Sequence, residues 1–323
     1  MKVFLIFFAL VPFSFAGISQ QKTDSSYIRS FAKENNIQFF PGYYQSRFNI
    51  TGHSYQHTSY HFLGNTSAYG GFFFNYKWAS ILMSPNIPGT SIDRRDKNIK
   101  SIQFQTFHFW RSWGGEINYS QFRGLILKKA PADEIVEKFP DINYTGVNVN
   151  LYYFLQHTQY SYLSSDYCSE RQIKSAGSPV VMLSPAFQQF KKSVVNNNPG
   201  YPDSLSNRFI SGQPRWYSFT GRYGYSYNFV WKKGVWSVNP VFFLATGLSE
   251  ALSGDRHPSL LSGYQFRLNA AYNGENYFLL FNGYYDYINN RFNRAFLEST
   301  NLNVALTFGF RFHSLHKKVL GIL

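Results

Sequence analysis

A single cysteine, Cys168, stands in 323 residues, so no intrachain disulfide staples this chain and strand pairing must carry its stability. No arrangement of His and Asn around Cys168 points to a nucleophile, and it reads as a small strand or turn residue. Long apolar runs are also missing. Beyond the N-terminus nothing approaches the ~18 residues of a helical span, which excludes a helical membrane protein. Charge is scarce, at 15% against ~25% in ordinary soluble domains, so the surface has something other than water to face. Acids are scarcer still: 17 against 31 Lys and Arg give a formal net charge of +14, which favours anionic partners such as lipopolysaccharide phosphates or an anionic small molecule. The basic residues form neither a stripe nor a recognition helix, and this argues against nucleic acid. With no Gly-rich phosphate loop and no zinc-spaced Cys and His pairs in the sequence, no cofactor and no metal are expected.

Aromatics are what the chain has instead, at 20% and mostly Phe and Tyr. These residues favour strands, and Tyr and Trp gather where hydrocarbon meets headgroups. The N-terminus reads as a signal peptide: Lys2, the apolar run Val3 to Phe13, then Ser14, Phe15 and Ala16 before a cut at Gly17. That run is well short of the ~20 residues an anchor needs. An exported, aromatic-rich chain without helical spans points to a membrane β-barrel, with a soluble β-sandwich as the alternative.

Alternation discriminates the two, because a barrel strand sends successive side chains to lipid and to lumen. Leu302, Val304, Leu306, Phe308, Phe310 and Phe312 share one parity, opposite Asn303, Thr307 and Arg311. Tyr264 to Tyr272, Phe219 to Phe229 and Val147 to Leu155 repeat the pattern, and other segments are less clean. Tyr152 and Phe154 sit on the polar parity, and the stretch Ile102 to Trp110 changes phase midway, as a bulge would cause. Counting every such run, with 54–63 and 67–79 as separate strands around a tight turn at Gly64-Asn65, gives about twelve. Short turns at Trp113-Gly114, Lys232-Lys233-Gly234 and Asn273-Gly274 alternate with longer connections, as in bacterial barrels. Residues 157–176 break this rule and read as an extra strand or a partial plug. Pro131 to Lys138 predicts a short helix, with proline and acids in its first turn.

Three constellations carry candidate chemistry. The densest is Ser169, Glu170, Arg171, Gln172, Lys174 and Ser175, inside the anomalous connection, where paired charges fix a plug or meet a ligand. Arg123, Arg222, Arg267 and Arg311 fall on lumenal parity and predict either an anion-preferring interior or pairing across a filled barrel. His53, His57 and His61 share a strand parity, but residues four apart lie roughly 13 Å apart, too far for one metal ion. His57 and Ser59, two apart on one face, are weak catalytic candidates of the outer-membrane phospholipase kind, although Ser59 lacks the Asn-Gly that follows the nucleophile there.

The order Phe139-Pro140-Asp141, Leu151-Tyr152-Tyr153-Phe154, Ser169-Glu170-Arg171-Gln172 and Lys174-Ser175-Ala176-Gly177-Ser178 resembles the DUF4421 family of Bacteroidota. Ile173 departs from it, where a polar or basic residue is expected. The resemblance implies an outer-membrane barrel and no particular reaction. The expectation is therefore an all-β, antiparallel transmembrane barrel of about twelve strands over 17–312, after a cleaved signal peptide at 1–16 and before a tail at 313–323. It would bind or pass an anionic molecule through a basic lumen. The alternatives are a lipid hydrolase, or a structural component that meets lipopolysaccharide or another envelope protein.

Overall fold

The computed structural model describes residues 23–31, 35–52, 59–64, 68–76, 79–90, 101–110, 112–129, 134–192, 213–252, 258–292 and 295–313. The chain forms β1 (Ile28–Ser30), β2 (Asn35–Gly52), β3 (Ser59–Gly64), β4 (Ala68–Tyr76), β5 (Ala79–Met83), β6 (Ser101–Phe109), β7 (Trp113–Lys129), β8 (Glu134–Phe154), α1 (Tyr162–Asp166), β9 (Glu170–Gln172), β10 (Ala176–Lys192), β11 (Arg215–Trp231), β12 (Trp236–Ala251), β13 (Pro258–Asn273), β14 (Tyr277–Phe292) and β15 (Ala295–Phe312). Among the described residues all ladders are antiparallel, and β15 pairs with β2 from Ala295↔Gly52 to Phe312↔Asn35, which closes the sheet into a twelve-stranded barrel.

Dyad alternation explains both faces. On β11, Phe219, Tyr223, Tyr225 and Phe229 point outward and are exposed, while Arg222, Ser226 and Asn228 point inward and are buried. Leu306 and Phe308 of β15 are likewise outward, against inward Thr307 and Arg311. Each outward Leu or Phe moved from water into hydrocarbon contributes roughly 1.5–3 kcal/mol. A belt of this extent would be a severe liability in water.

The barrel tapers. β2 is long enough to pair with β3 over its second half and with β4 over its first. β3 and β4 therefore descend in turn along one neighbour rather than forming a hairpin, and Gly64-Asn65 is not the tight turn between paired strands that its composition suggests. Near the short turns, β4, β5 and β6 stand between β2 and β7; near the long connections β3 alone does, pairing directly with β7 through His61↔Lys128 to Gly64↔Leu125. The circuit is thus twelve strands at the turn end and ten at the loop end, and the lumen narrows accordingly. The predicted helix from Pro131 is also corrected. Glu134 onward is strand, because β7 and β8 extend as a hairpin paired to Lys129↔Glu134. Residues 1–16, and the tail beyond His313, lie outside the described residues.

Candidate functional site

The connection between β8 and β10 folds into the wide turn end of the lumen. Ser161 starts α1 by accepting a bond from Ser164 N, and its own hydroxyl donates to Glu170 at 2.6 Å. β9 then pairs antiparallel with β1, Ile28↔Gln172 to Ser30↔Glu170, so the N-terminal segment completes the plug. Gln172 is its hub: Oε1 accepts from Ser161 N (2.9 Å) and Asn228 Nδ2 (3.3 Å), and Nε2 donates to the carbonyls of Gln159 and Lys174.

An apolar core fixes the plug to the wall. Tyr160 and Tyr162 pack with Tyr152, Phe154, Val180, Met182, Val241 and Phe243, and Phe109 and Tyr167 join the edge. Phe107 stacks on Tyr167 at 4.0 Å between ring centroids. Here lies the reason for the irregular alternation in the sequence. Tyr152, Phe154, Phe107 and Phe109 do face inward, but onto a greasy plug rather than water. β6 pairs with β7 without interruption from Ser101↔Phe122 to Phe109↔Gly114, so no bulge shifts its phase. Cys168 is fully buried in a second cluster with Ala271, Phe278 and Leu280. Burial pushes its thiol up to about 12, against a smaller opposing pull from Arg311.

Each basic candidate has a definite place. Arg311, buried near the end of β15, donates to Gly274 O (2.5 Å), Asn273 Oδ1 (2.5 Å) and Cys168 O, with its guanidinium 3.6 Å from the Phe31 ring centroid and 4.5 Å from that of Phe278. It ties the N-terminal segment, the plug and the β13–β14 turn to one cation. Arg171 reaches Glu275 (2.8 Å) and Asn273 O (2.6 Å). Arg222 makes a two-pronged bond with Asp286 across the lumen, 2.5 and 3.2 Å. Arg267 donates to Tyr162 (2.6 Å), Tyr152 (2.9 Å) and Gln265 (3.0 Å). Arg123 is corrected: it shares the outward parity of exposed Ile117, opposite inward Glu116 and Phe122, and so does not face the lumen. Of the motif residues, Ser169 donates to Leu163 O, Lys174 to Ser26 Oγ and lies over the Tyr27 ring, and Ser175 Oγ accepts from Val230 N. His57 falls outside the described residues; Ser59 pairs with Thr51 through its backbone, and His61 Nδ1 meets Asn49 Oδ1 at 2.8 Å.

Above the plug lies a chamber of about 400 Å³, walled by nearly every barrel strand. Sequence reasoning missed its acids. Glu116 accepts from Tyr152 (2.8 Å), Tyr167 (3.1 Å) and Asn150 (3.2 Å), and Asp166 accepts from Asn269 (2.9 Å). Burial raises the pKa of the Asp166 carboxyl, against the pull of Arg267. The charged side chains lining the chamber are thus Arg222 and Arg267 against Glu116, Asp166 and Asp286. Amides and hydroxyls make up most of its polar lining. Asn301 Oδ1 accepts from Tyr44 and Ser46, and Asn303 Oδ1 from Tyr69, which leaves both amide NH₂ groups as donors. Towards the loop end, inward Phe48, Phe122, Tyr144, Phe190 and Trp216 form a buried cluster with centroid spacings of 4.7 to 6.3 Å.

In backbone shape the chain is similar to the outer membrane protease OmpT from Escherichia coli, with a TM-score of 0.40 and 10% identity over 88% of this chain and 98% of that one. It is similar too to the β domain of the Bordetella autotransporter BrkA (0.42, 9%, 86% and 100%) and to the toluene transporter TodX of P. putida (0.28, 6%, 87% and 91%). No curated protein matches it in sequence. The family described as a domain of unknown function, DUF4421, matches residues 22–312, barrel and plug together, and the chain belongs to that family.

Proposed function

We propose that this protein is an outer-membrane barrel that holds a small, uncharged polar solute, of the saccharide or polyol kind, in the chamber between its plug and its loop-end aromatic cluster. The outward apolar belt and the closed sheet support the membrane setting, residues 1–16 serving as a cleaved export signal. Short turns then face the periplasm and long connections the exterior. One observation carries the choice of solute: both lining arginines already have partners, Arg222 the carboxylate of Asp286 and Arg267 the hydroxyls of Tyr162 and Tyr152, while the amides keep bonding capacity for something else. Among the described residues Asn118 on β7 has no internal partner, and Asn301 and Asn303 of β15 retain free donors. An anion would have to compete with Asp286 for Arg222 and would meet the further acids Glu116 and Asp166 in the same lining, so the anion-binding lumen is the weaker reading. About 400 Å³ falls within the ~300–1,000 Å³ range of small-molecule sites.

Calorimetric titration of the detergent-solubilised protein with a neutral disaccharide and its phosphorylated counterpart tests this. The neutral sugar should bind, and Asn118→Leu, which costs the barrel no internal bond, should weaken it roughly tenfold for one lost hydrogen bond. Tighter binding of the phosphorylated sugar, or no binding of any neutral solute, would overturn the proposal.

A further inference from the structure

On the outer face of the barrel, at the turn end, lies an apolar depression of about 410 Å³. Its floor is made by outward residues too small to fill the row: Val238 of β12 directly opposite Ala270 of β13. Trp231 and Trp236, paired across the β11–β12 hairpin, wall it on the turn side, with Tyr272 edge-on to Trp236 at 5.1 Å. Lys232 lines its rim, and exposed Lys233 follows.

Those two lysines occupy an unusual backbone. Gly234 N donates to Trp231 O, closing a turn whose central residues, Lys232 and Lys233, have φ of 49° and 56°. Such turns favour Asn-Gly, since L side chains resist positive φ. Two adjacent ammonium groups are therefore held at the hydrocarbon boundary in a conformation that neutral residues fill better. The acid of the neighbouring turn, Glu275, is engaged by Arg171 at 2.8 Å and Arg29 at 3.6 Å, so the local excess of positive charge stands.

We infer that this depression is a binding site for one anionic glycerophospholipid of the periplasmic leaflet. An acyl chain lies on Val238 and Ala270 against the tryptophans, and the phosphate sits at Lys232 and Lys233. The inference rests on the membrane setting and orientation proposed above. Lipopolysaccharide is excluded as the occupant because it belongs to the opposite, loop-end leaflet.

The test is native mass spectrometry of the full protein in mild detergent, supplied with equal phosphatidylglycerol and phosphatidylethanolamine. One phosphatidylglycerol should be retained roughly tenfold over phosphatidylethanolamine. Lys232→Asn combined with Lys233→Gly suits the turn and keeps the fold, and should abolish that preference; Ala270→Phe, which fills the floor, should abolish retention of both lipids. Equal retention by the native protein, or a preference that survives either change, would overturn the site while leaving the barrel reading intact. A chain that stays monomeric in buffer without detergent would instead remove the membrane setting itself.

Discussion

At the scale of single residues, the decisive feature is how few inward charges are left without a counter-group. A buried guanidinium is tolerable only when its protons are bonded, because transfer of an isolated charge into a low-dielectric interior costs far more than one interaction returns. Arg311 meets most of that condition: its terminal nitrogens have two backbone carbonyls and one amide oxygen, two aromatic faces flank the guanidinium, and its buried Nε–H alone has no acceptor among the described residues. Replacing it by Met removes the donors and leaves Gly274 O and Cys168 O without theirs, so Arg311→Met should lower the unfolding free energy by about 3 kcal/mol. Urea unfolding in detergent micelles measures this, and an unchanged midpoint would mean that the clamp is not a structural centre. Arg222 and Asp286 behave as a unit for the same reason. Their bond explains why an arginine on lumenal parity does not by itself make a lumen basic.

At the scale of elements, the plug is held as a second layer inside the sheet, and its docking is tight enough to read chemically. Gly234 has φ of 81°, and a Cβ there would run into the carbonyl of Gln172 in β9. Gly234→Ala should therefore loosen the plug without opening the barrel. Cys168 reports this, since its thiol is buried and pushed up to about 12, so hardly any thiolate exists at pH 8. Maleimide should label Cys168 at least tenfold faster in the folded Gly234→Ala protein than in the native one, and fastest of all after boiling in SDS. Equal labelling of the two folded proteins would show that the turn does not secure β9.

The same layer decides what was legible in the sequence. Strands such as β11, β13 and β15 betray themselves because one face meets lipid and the other polar groups. Where the inner face meets the plug, as at Phe107, Phe109, Tyr152 and Phe154, both faces are apolar and the period of two disappears. β5 is five residues long and β1 and β9 are three each, too short for any period to show. The acids of the chamber, Glu116, Asp166 and Asp286, lie on three distant segments, so their meeting with Arg222 and Arg267 is a product of barrel closure and register. For Glu116 the one available signal was an acid on the inward parity of β7, opposite Ile117. The helix expected from Pro131 failed because cross-strand pairing of β7 and β8 overrides a favourable helix start.

At the scale of the whole molecule, taper and plug belong together. The extra strands β5 and β6 widen the turn end where the plug sits, and their inward Phe107 and Phe109 form part of its seat. The ten-strand loop end is narrower, and five inward aromatics cluster there. Between the plug and these aromatics lies the chamber. All of this presupposes that alternate side chains of one continuous sheet face hydrocarbon. Spin labels placed one at a time from Leu302 to Phe308 of β15, in protein reconstituted into phospholipid bilayers, test that claim most directly. Labels at 302, 304, 306 and 308 should be accessible to dissolved oxygen and those at 303, 305 and 307 shielded; accessibility that fails to alternate, or that follows a water-soluble relaxer at every position, would contradict the account.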